Sequence, residues 1–335
     1  MSTMVRASGL RGYETQMWQL GVDPASLLQR YRIAPGTLDD DDALLPLRSV
    51  LHLLEASAAT TGCGDFGLRL SHNQDITVLG PVAIAMQHAP TVASALDTAS
   101  RYLFVHSPGM VMTVLPVSSW LPGAAEMRFE IRAPGQGGQR QALDICLGDV
   151  HHMLEFLAGG EYGLKAVTLP HTPVASLSHY TRFFGVPVHP AQAFGGLHFA
   201  RETLAINLQA ANVALRRIAE AYLATHFGDP EQSVAARVRQ ALQRTLSTAG
   251  GSKAAVANLL GMHPRTLQRH LAAERVSFEA LRDDLRRDTA LRYLRETRMP
   301  LAQLSGVLGL SEQSALTRAC RRWFGRPPSA VRRGA

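Results

Sequence analysis

The segment LSEQSALTRACRRWFGRPPSAVRR, Leu310–Arg333, combines six arginines and a single acid with apolar residues such as Trp323 and Phe324. This mixture is typical of a small packed helical unit whose surface meets a polyanion. The charge distribution supports contact with a polyanion at this end of the chain. Residues 231–335 hold 19 Lys and Arg against 8 Asp and Glu, whereas residues 1–230 hold 15 Lys and Arg against 19 Asp and Glu. The basic third of the chain is therefore predicted to bind a polyanion.

An internal repeat of 48 residues lies within this basic third and aligns Gly261 with Gly309. In each copy an apolar helix ends at the glycine, and a helix that carries cations follows it. The glycine permits a sharp turn, the apolar residue after it packs between the helices, and His263 or Ser311 begins the second helix. This is the pattern of a helix-turn-helix, and two copies at a fixed separation are more specific than one.

The pattern along the whole chain predicts two domains. Helical spacing, as in TVASALDTASRYLFVH, alternates with strand-like stretches such as AEMRFEIRAP over the front two-thirds of the sequence. We therefore expect an α+β domain over residues 1–228 and an all-α domain over residues 232–335. Within the latter, the first helix-turn-helix is expected at about 253–274, a linker helix at about 277–296 and the second helix-turn-helix at about 301–324.

The two predicted recognition helices carry polar residues that share one face at helical spacing. A helix fits the major groove of DNA, where Arg can pair with guanine, Gln with adenine, and Ser or Thr with several bases. The predicted base-reading residues are Arg265, Gln268, Arg269, Gln313, Ser314, Thr317 and Arg318. Nearby cations are better suited to phosphates, which supply affinity without reading sequence. The predicted phosphate-binding residues are Arg321, Arg322 and Arg326.

The chain from about residue 242 to 333 resembles the AraC/XylS family of bacterial transcription regulators, notably in SALTRACRRWFGRPPSAVR. The front part resembles the arabinose-binding-type sensor of one branch, in DITVLGPVAIAMQHAPTVASALDTASRYLFVHSPG and FFGVPVHPAQAFGGLHFARETL. The resemblance implies an effector-binding or dimerising front domain, activation of transcription and contact with RNA polymerase. It also implies recognition helices that enter successive major grooves, roughly 34 Å apart. The sequence departs from the family at Leu316 and Cys320, where Phe is usual, and both residues are expected to face the core.

The front domain is rich in Leu, Val, Ala and Met and shows no phosphate cradle, which favours an amphiphilic or apolar effector over a phosphate or a sugar. Arg101, His106 and His152 are the polar residues predicted near a ligand pocket. No metal or cofactor is expected, because the thirteen histidines form no known ligand pattern.

Two other functional classes remain open from the sequence. An enzyme fused to a DNA-binding tail would need a nucleophile with a base, yet the sequence contains no G-x-S-x-G motif and no cysteine-nucleophile signature. A ligand-independent regulator would use its front domain to form a homodimer, and an apolar cavity in that domain would count against it. Three scattered cysteines and the lack of a long apolar run predict a cytoplasmic protein without membrane contact.

Overall fold

The computed structural model of the chain describes residues 3–132, 138–228, 233–249, 251–260 and 262–333. The chain forms two compact units, Met1–Leu223 and Ala224–Ala335. The first unit combines helices with sheets, and the described residues of the second unit are helices and their connections. This confirms the predicted fold class, an α+β domain followed by an all-α domain. The predicted domain boundary, at residues 229–231, lies outside the described residues.

The α-helices of the first unit precede or flank its main sheet. They are α1 (Tyr13–Gln19), α2 (Ala25–Arg30), α3 (Leu47–Thr61), α4 (Phe66–Ser71), α5 (Pro81–Gln87), α6 (Val92–Tyr102), α7 (Arg140–Ala158), α8 (Leu177–Phe184) and α9 (Val213–Phe227), which runs across the boundary between the units. Short 3₁₀ turns lie at Ala7–Leu10, Thr37–Asp39, Ile76–Leu79, Leu103–Val105 and Arg201–Ala205.

The strands of the first unit form two sheets. They are β1 (Met4–Arg6), β2 (Leu44–Pro46), β3 (Met110–Leu115), β4 (Ala124–Ile131), β5 (Leu164–Thr168), β6 (Val188–His189) and β7 (Gly195–Ala200). β1 and β2 form an antiparallel pair, and the others form a five-stranded sheet in the order β3-β4-β7-β5-β6. Its neighbours are antiparallel except for β5 and β6. Leu197 on β7 lies between Met127 and Val167 on the adjacent strands, and all three side chains are fully buried.

The long helix α7 packs against strands β4 and β7 and against helices α3 and α4. Its approach to α4 is close, because a Cβ at Gly67 would overlap the carbonyl oxygen of Gln141, and one at Gly148 would overlap the hydroxyl of Ser71. The side-chain oxygen of Gln141 also accepts a hydrogen bond from the backbone N–H of Gly67 at 2.7 Å. These contacts fix α7 in place, and with it the side chains that it presents to the interior.

The helices of the second unit surround one apolar core. They are α10 (Val234–Ala249), α11 (Lys253–Leu259), α12 (Pro264–Ala273), α13 (Phe278–Glu296), α14 (Leu301–Val307), α15 (Gln313–Phe324) and α16 (Pro328–Arg333). The linker helix α13 contributes Phe278, Leu281 and Leu285 to that core. Leu316 and Cys320 are both fully buried in it, as the sequence predicted. At these two positions smaller side chains than Phe therefore fill the interior.

Candidate nucleic-acid interface and ligand cavity

The first helix-turn-helix consists of α11 and α12. His263 is the N-cap of α12 and its Nδ1 accepts a hydrogen bond from the backbone N–H of Arg265 at 3.2 Å, while Pro264 fills the first helical position. Leu267 and Leu271 on α12 are fully buried. The turn glycine that the sequence predicted, Gly261, lies outside the described residues.

The second helix-turn-helix consists of α14 and α15, and its turn differs from the first by one residue. Gly309 adopts the left-handed conformation with φ of 60°, as a sharp turn requires. α15 has Glu312 as its N-cap, so the prediction that Ser311 begins this helix was wrong. α11 and α14 begin 48 residues apart, whereas the N-caps of α12 and α15 are 49 residues apart. The longer second turn accounts for the shift.

With the shift of 49 residues, the two recognition helices match in burial. Buried Leu267 corresponds to buried Leu316, and exposed Arg269 corresponds to exposed Arg318. Six of the seven predicted base-reading side chains are exposed, namely Arg265, Gln268, Arg269, Gln313, Ser314 and Arg318. Thr317 is half-buried, and its hydroxyl donates to the carbonyl oxygen of Gln313 at 3.2 Å. The structure thus gives each recognition helix a solvent-facing polar surface opposite its core contacts.

The predicted phosphate-binding arginines differ in their surroundings. Arg321 and Arg326 are exposed near the end of α15. Arg322 instead forms an ion pair with Asp283 on α13, and the indole Nε1 of Trp323 donates to the same carboxylate at 2.9 Å. Phosphate binding by Arg322 stays a prediction. Asp283 would compete with a phosphate for the guanidinium group of Arg322.

Sequence reasoning missed the role of Arg286 on α13. Its Nε and Nη2 atoms donate to the carbonyl oxygens of Leu308 and Gly309, each at 2.9 Å. These carbonyls lie just after α14, where a helix end leaves acceptors without intrahelical partners. Arg286 therefore ties the linker helix to the turn of the second helix-turn-helix, a contact between residues more than twenty positions apart that no local pattern reveals.

A cavity of about 50 Å³ lies in the first unit beside α7, and we call it the α7 cavity. Its wall is mostly apolar and rich in sulfur. The lining includes Met86, Met110, Met112, Met153, Leu96, Phe129 and Cys146, together with the polar residues His106 and Asp149. Methionine side chains are flexible and polarisable, so this wall can adapt to the shape of a bound molecule.

The two polar groups of the α7 cavity are unusual among the described residues. Oδ1 of Asp149 and Nδ1 of His106 are buried and have no hydrogen-bond partner there. Burial raises the pKa of Asp149 well above its ordinary value. Burial, together with the positive charge of Arg6, lowers the pKa of His106 to about 4. His106 is therefore neutral near pH 7, and burial favours the uncharged form of Asp149.

Of the three residues predicted near a pocket, only His106 lines the α7 cavity. Arg101 is exposed at the end of α6, with its guanidinium over the ring of Tyr102. His152 lies in an aromatic cluster with His72 and Phe183. Sequence reasoning missed Asp149. The feature that could have indicated it is an acidic residue at helical spacing from the apolar residues of α7.

A second polar cluster lies in the main sheet and superficially suggests catalysis. The hydroxyl of Ser118 lies 2.8 Å from Oε2 of Glu126 and 2.9 Å from Nδ1 of His198. The hydroxyl of Thr168 lies 3.2 Å from Nε2 of the same imidazole. Because Glu126, His198 and Thr168 are fully buried and hydrogen-bonded, this cluster has the character of a structural network.

Within the described ranges, no group of three His, Cys, Asp or Glu side chains is placed to hold a metal ion. No helix in the described part of the chain has the length and apolar character needed to cross a membrane.

Comparison with known proteins assigns the chain to a family. The arabinose-binding N-terminal domain of AraC transcription regulators matches residues 21–208, and a helix-turn-helix domain matches residues 256–334. The chain belongs to the AraC family of transcription regulators. It is 35% identical to the HTH-type transcriptional regulator VirS of Mycobacterium tuberculosis, over 99% of this chain and 97% of VirS.

More distant relatives of this AraC-family chain include the ornithine utilization regulator of Pseudomonas aeruginosa, at 26% identity over 94% of this chain and 92% of the relative. Among solved structures, the transcriptional regulator CdpR from Pseudomonas aeruginosa is 23% identical with a TM-score of 0.46, over 94% of this chain and 97% of CdpR. The family match identifies the chain as a DNA-binding transcription regulator, and α12 and α15 lie in its helix-turn-helix domain.

Proposed function

We propose that this AraC-family chain is a sequence-specific transcriptional activator that responds to a small, largely apolar effector. The observation that carries the proposal is a cavity in which Oδ1 of Asp149 and Nδ1 of His106 are buried without partners among the described residues, in the same chain as two exposed recognition surfaces. An effector that binds one arrangement of the first unit better than another shifts the population towards it. The result is a change in how α12 and α15 are presented to DNA.

DNA reading is assigned to the exposed faces of α12 and α15, with Arg269 and Arg318 at equivalent positions. Each arginine can form a bidentate pair with guanine in the major groove. Arg321 and Arg326 lie beyond the base-reading face of α15 and are assigned to phosphates. By analogy with the family, the activated complex would contact RNA polymerase.

The first prediction concerns base reading by Arg269. Arg269→Ala should cost about 1–3 kcal/mol of binding free energy at one base position, because one bidentate pair is lost. Arg321→Ala is the matched control, and it should weaken all sequences alike and reduce the salt slope by about one. Fluorescence anisotropy on a selected operator, its point variants and random DNA would measure both effects. Equal losses on operator and random DNA for Arg269→Ala would contradict its assignment as a base reader.

The effector role is tested by linking ligand binding to DNA binding. A thermal-shift screen of small apolar amphiphiles on the full chain identifies binders, and DNA affinity and transcription in vitro are then measured with and without each binder. We expect at least one binder to change operator affinity by fivefold or more. If every bound molecule leaves operator affinity, half-site spacing preference and transcription unchanged, the effector role is refuted.

A second candidate function is a ligand-independent dimeric regulator, and an observation on α9 favours self-association. Val213, Leu215, Ile218 and Tyr222 are apolar or aromatic side chains that remain exposed, Val213 by 85%. Leu215, Ile218 and Tyr222 recur at helical spacing on one side of α9, and exposed apolar patches often mark interaction sites. Sedimentation of the full chain tests for the homodimer, and the ligand screen separates the two candidates, because a dimer alone does not require an effector.

A further inference from the structure

The wall chemistry of the α7 cavity limits which ligands it can hold. Its described lining contains no Lys or Arg side chain, and its polar lining groups are His106 and Asp149, with the weakly polar thiol of Cys146 nearby. Burial raises the pKa of Cys146 well above its ordinary value, so the thiol remains neutral. A carboxylate or phosphate ligand would enter an apolar site without a cation to balance it, at a large desolvation cost.

Asp149 is the strongest signal for a ligand. Its Oδ1 is buried without a hydrogen-bond partner in the described part of the chain, and leaving such an atom without a partner lowers the stability of the fold. Arg6 on β1 lowers the pKa of His106 and forms an ion pair with Asp42, and it is not among the residues that line the cavity. Asp149 therefore lines an apolar cavity, and its Oδ1 could accept a hydrogen bond from a donor or a cation bound there.

His106 supplies a second acceptor to the same cavity. A hydrogen bond to the backbone of Val78 favours the proton on one ring nitrogen. Because Nδ1 is the nitrogen without a partner, the proton lies on Nε2 and Nδ1 is an acceptor. His106 follows α6, whereas Asp149 lies on α7, so two different elements present acceptors to one cavity.

We propose that the α7 cavity is a receptor for a small organic amine, whose ammonium group is bound by Asp149 and His106 and whose hydrocarbon part packs against the methionine-rich wall. This inference rests on the proposed effector function and specifies the chemistry of the effector. An ammonium group offers up to three donors to two acceptors, whereas an alcohol offers one and leaves one acceptor unmet.

Binding of the amine exchanges a proton with solvent. Neutral Asp149 gives up its carboxyl proton to water, and the resulting carboxylate pairs with the ammonium group, which keeps its own three protons. His106 and Cys146 face the same cavity and remain neutral, so Asp149 is the group that titrates. Each bound amine therefore releases up to one proton, the proton that burial favours on Asp149 in the free protein.

The size of the cavity selects the probe. A buried water needs about 10–15 Å³ of such volume, so 50 Å³ accommodates roughly three to five non-hydrogen atoms without rearrangement. Butylamine, butan-1-ol and butyrate have nearly the same hydrocarbon part and differ in charge. They form a matched series of cation, neutral molecule and anion.

The experiment is calorimetric titration of the full chain at pH 7 with each of the three probes, in two amine-free buffers of different ionisation enthalpy. Butylamine should bind at least tenfold more tightly than butan-1-ol and release up to one proton, and butyrate should bind most weakly. Asp149→Asn keeps the shape of the side chain, and it should reduce butylamine affinity at least tenfold and abolish proton release. Asp144→Asn, a buried acid on the same helix outside the cavity lining, should retain the preference for the amine.

Equal affinity for butylamine and butan-1-ol, tighter binding of butyrate, or unchanged amine binding in Asp149→Asn would overturn the proposal. Operator affinity measured with the same probes separates this failure from failure of the proposed function. If butylamine does not bind but another molecule alters operator affinity, the amine site is wrong and the effector function stands. If butylamine binds as expected but no bound molecule alters operator affinity, the amine site stands and the effector function is wrong.

Discussion

The helices α7 and α13 are each nineteen residues long and each lies in the core of its own unit, yet they differ in how their charged groups are satisfied. On α13, Arg286 donates to two carbonyl oxygens after α14, and Asp283 accepts from the indole of Trp323 and pairs with Arg322. On α7, Oδ1 of Asp149 has no partner among the described residues.

The difference indicates two uses of polar groups on long helices. A satisfied group on α13 fixes the position of the second recognition helix, and so contributes to stability. An unsatisfied group on α7 costs stability, and in the proposed amine site this group serves binding, as is common at functional sites. The comparison therefore predicts that removing Arg286 from α13 and removing the carboxyl of Asp149 from α7 change stability in opposite directions.

The largest effect is expected for Arg286→Ala. Two charge-assisted hydrogen bonds to the carbonyls of Leu308 and Gly309 are lost, which should destabilise the second unit by about 2–4 kcal/mol. Arg287→Ala is the matched control, because Arg287 is exposed and pairs only with acids on its own helix in the described structure, so it should cost less than about 0.5 kcal/mol. Hydrogen exchange of amides in residues 301–324 measures both. Equal, small losses in the two variants would mean that the linker contact does not stabilise the turn.

Much of the second unit could be predicted from sequence, because its apolar residues recur at helical spacing and burial follows that period. Leu316 and Cys320 lie in the core for this reason. The extra residue in the second turn could not be predicted, because an offset of 48 residues, which aligns Gly261 with Gly309, already fits the sequence pattern of both copies. Strands β1, β2 and β6 were missed because two or three residues are too short to show alternation.

The functional groups of the first unit were harder to predict than its fold. His106 was identified as a polar residue near a pocket, but Asp149 was not, because its burial depends on contacts between α7 and distant elements. Likewise, the ion pair between Arg322 and Asp283 joins residues 39 positions apart. Local spacing indicates which residues share a helix face, and tertiary packing decides which charges meet a partner.

The next largest effect is expected in the pH dependence of stability. It concerns His106, the second group in the α7 cavity with a buried atom that has no partner among the described residues. The pKa of His106 is about 4 in the folded chain against about 6.5 when unfolded, so the unfolded chain binds more protons between these values. The contribution of neutral His106 to the free energy of unfolding is therefore complete above pH 6.5 and is lost as the pH falls towards 4. Between pH 7 and pH 5, the chain should lose about 2 kcal/mol more than His106→Gln, measured by urea unfolding.

Other groups with shifted pKa values do not alter the difference between the two proteins. Asp149 has a raised pKa and acts in the opposite direction, and His151 also has a pKa lowered to about 4. Both are present in the original chain and in His106→Gln, so their contributions cancel in the difference. Identical pH profiles for the two proteins would show that His106 is not held neutral by burial.

The smallest effect is the one that distinguishes α7 most directly from α13, a gain of stability on losing a buried carboxyl group. Asp149→Leu removes an unsatisfied carboxyl, and the adjacent cavity of about 50 Å³ can accept the larger side chain, so the first unit should become more stable by about 1–2 kcal/mol. Asp144→Leu is the matched control on the same helix. It should destabilise, because the hydroxyl of Tyr180 donates to Asp144 at 2.6 Å and would lose its acceptor. Thermal unfolding measures both changes. If Asp149→Leu lowers the free energy of unfolding by more than about 1 kcal/mol, the carboxyl of Asp149 stabilises the fold, and the idea that it is kept for binding at a cost to stability is wrong.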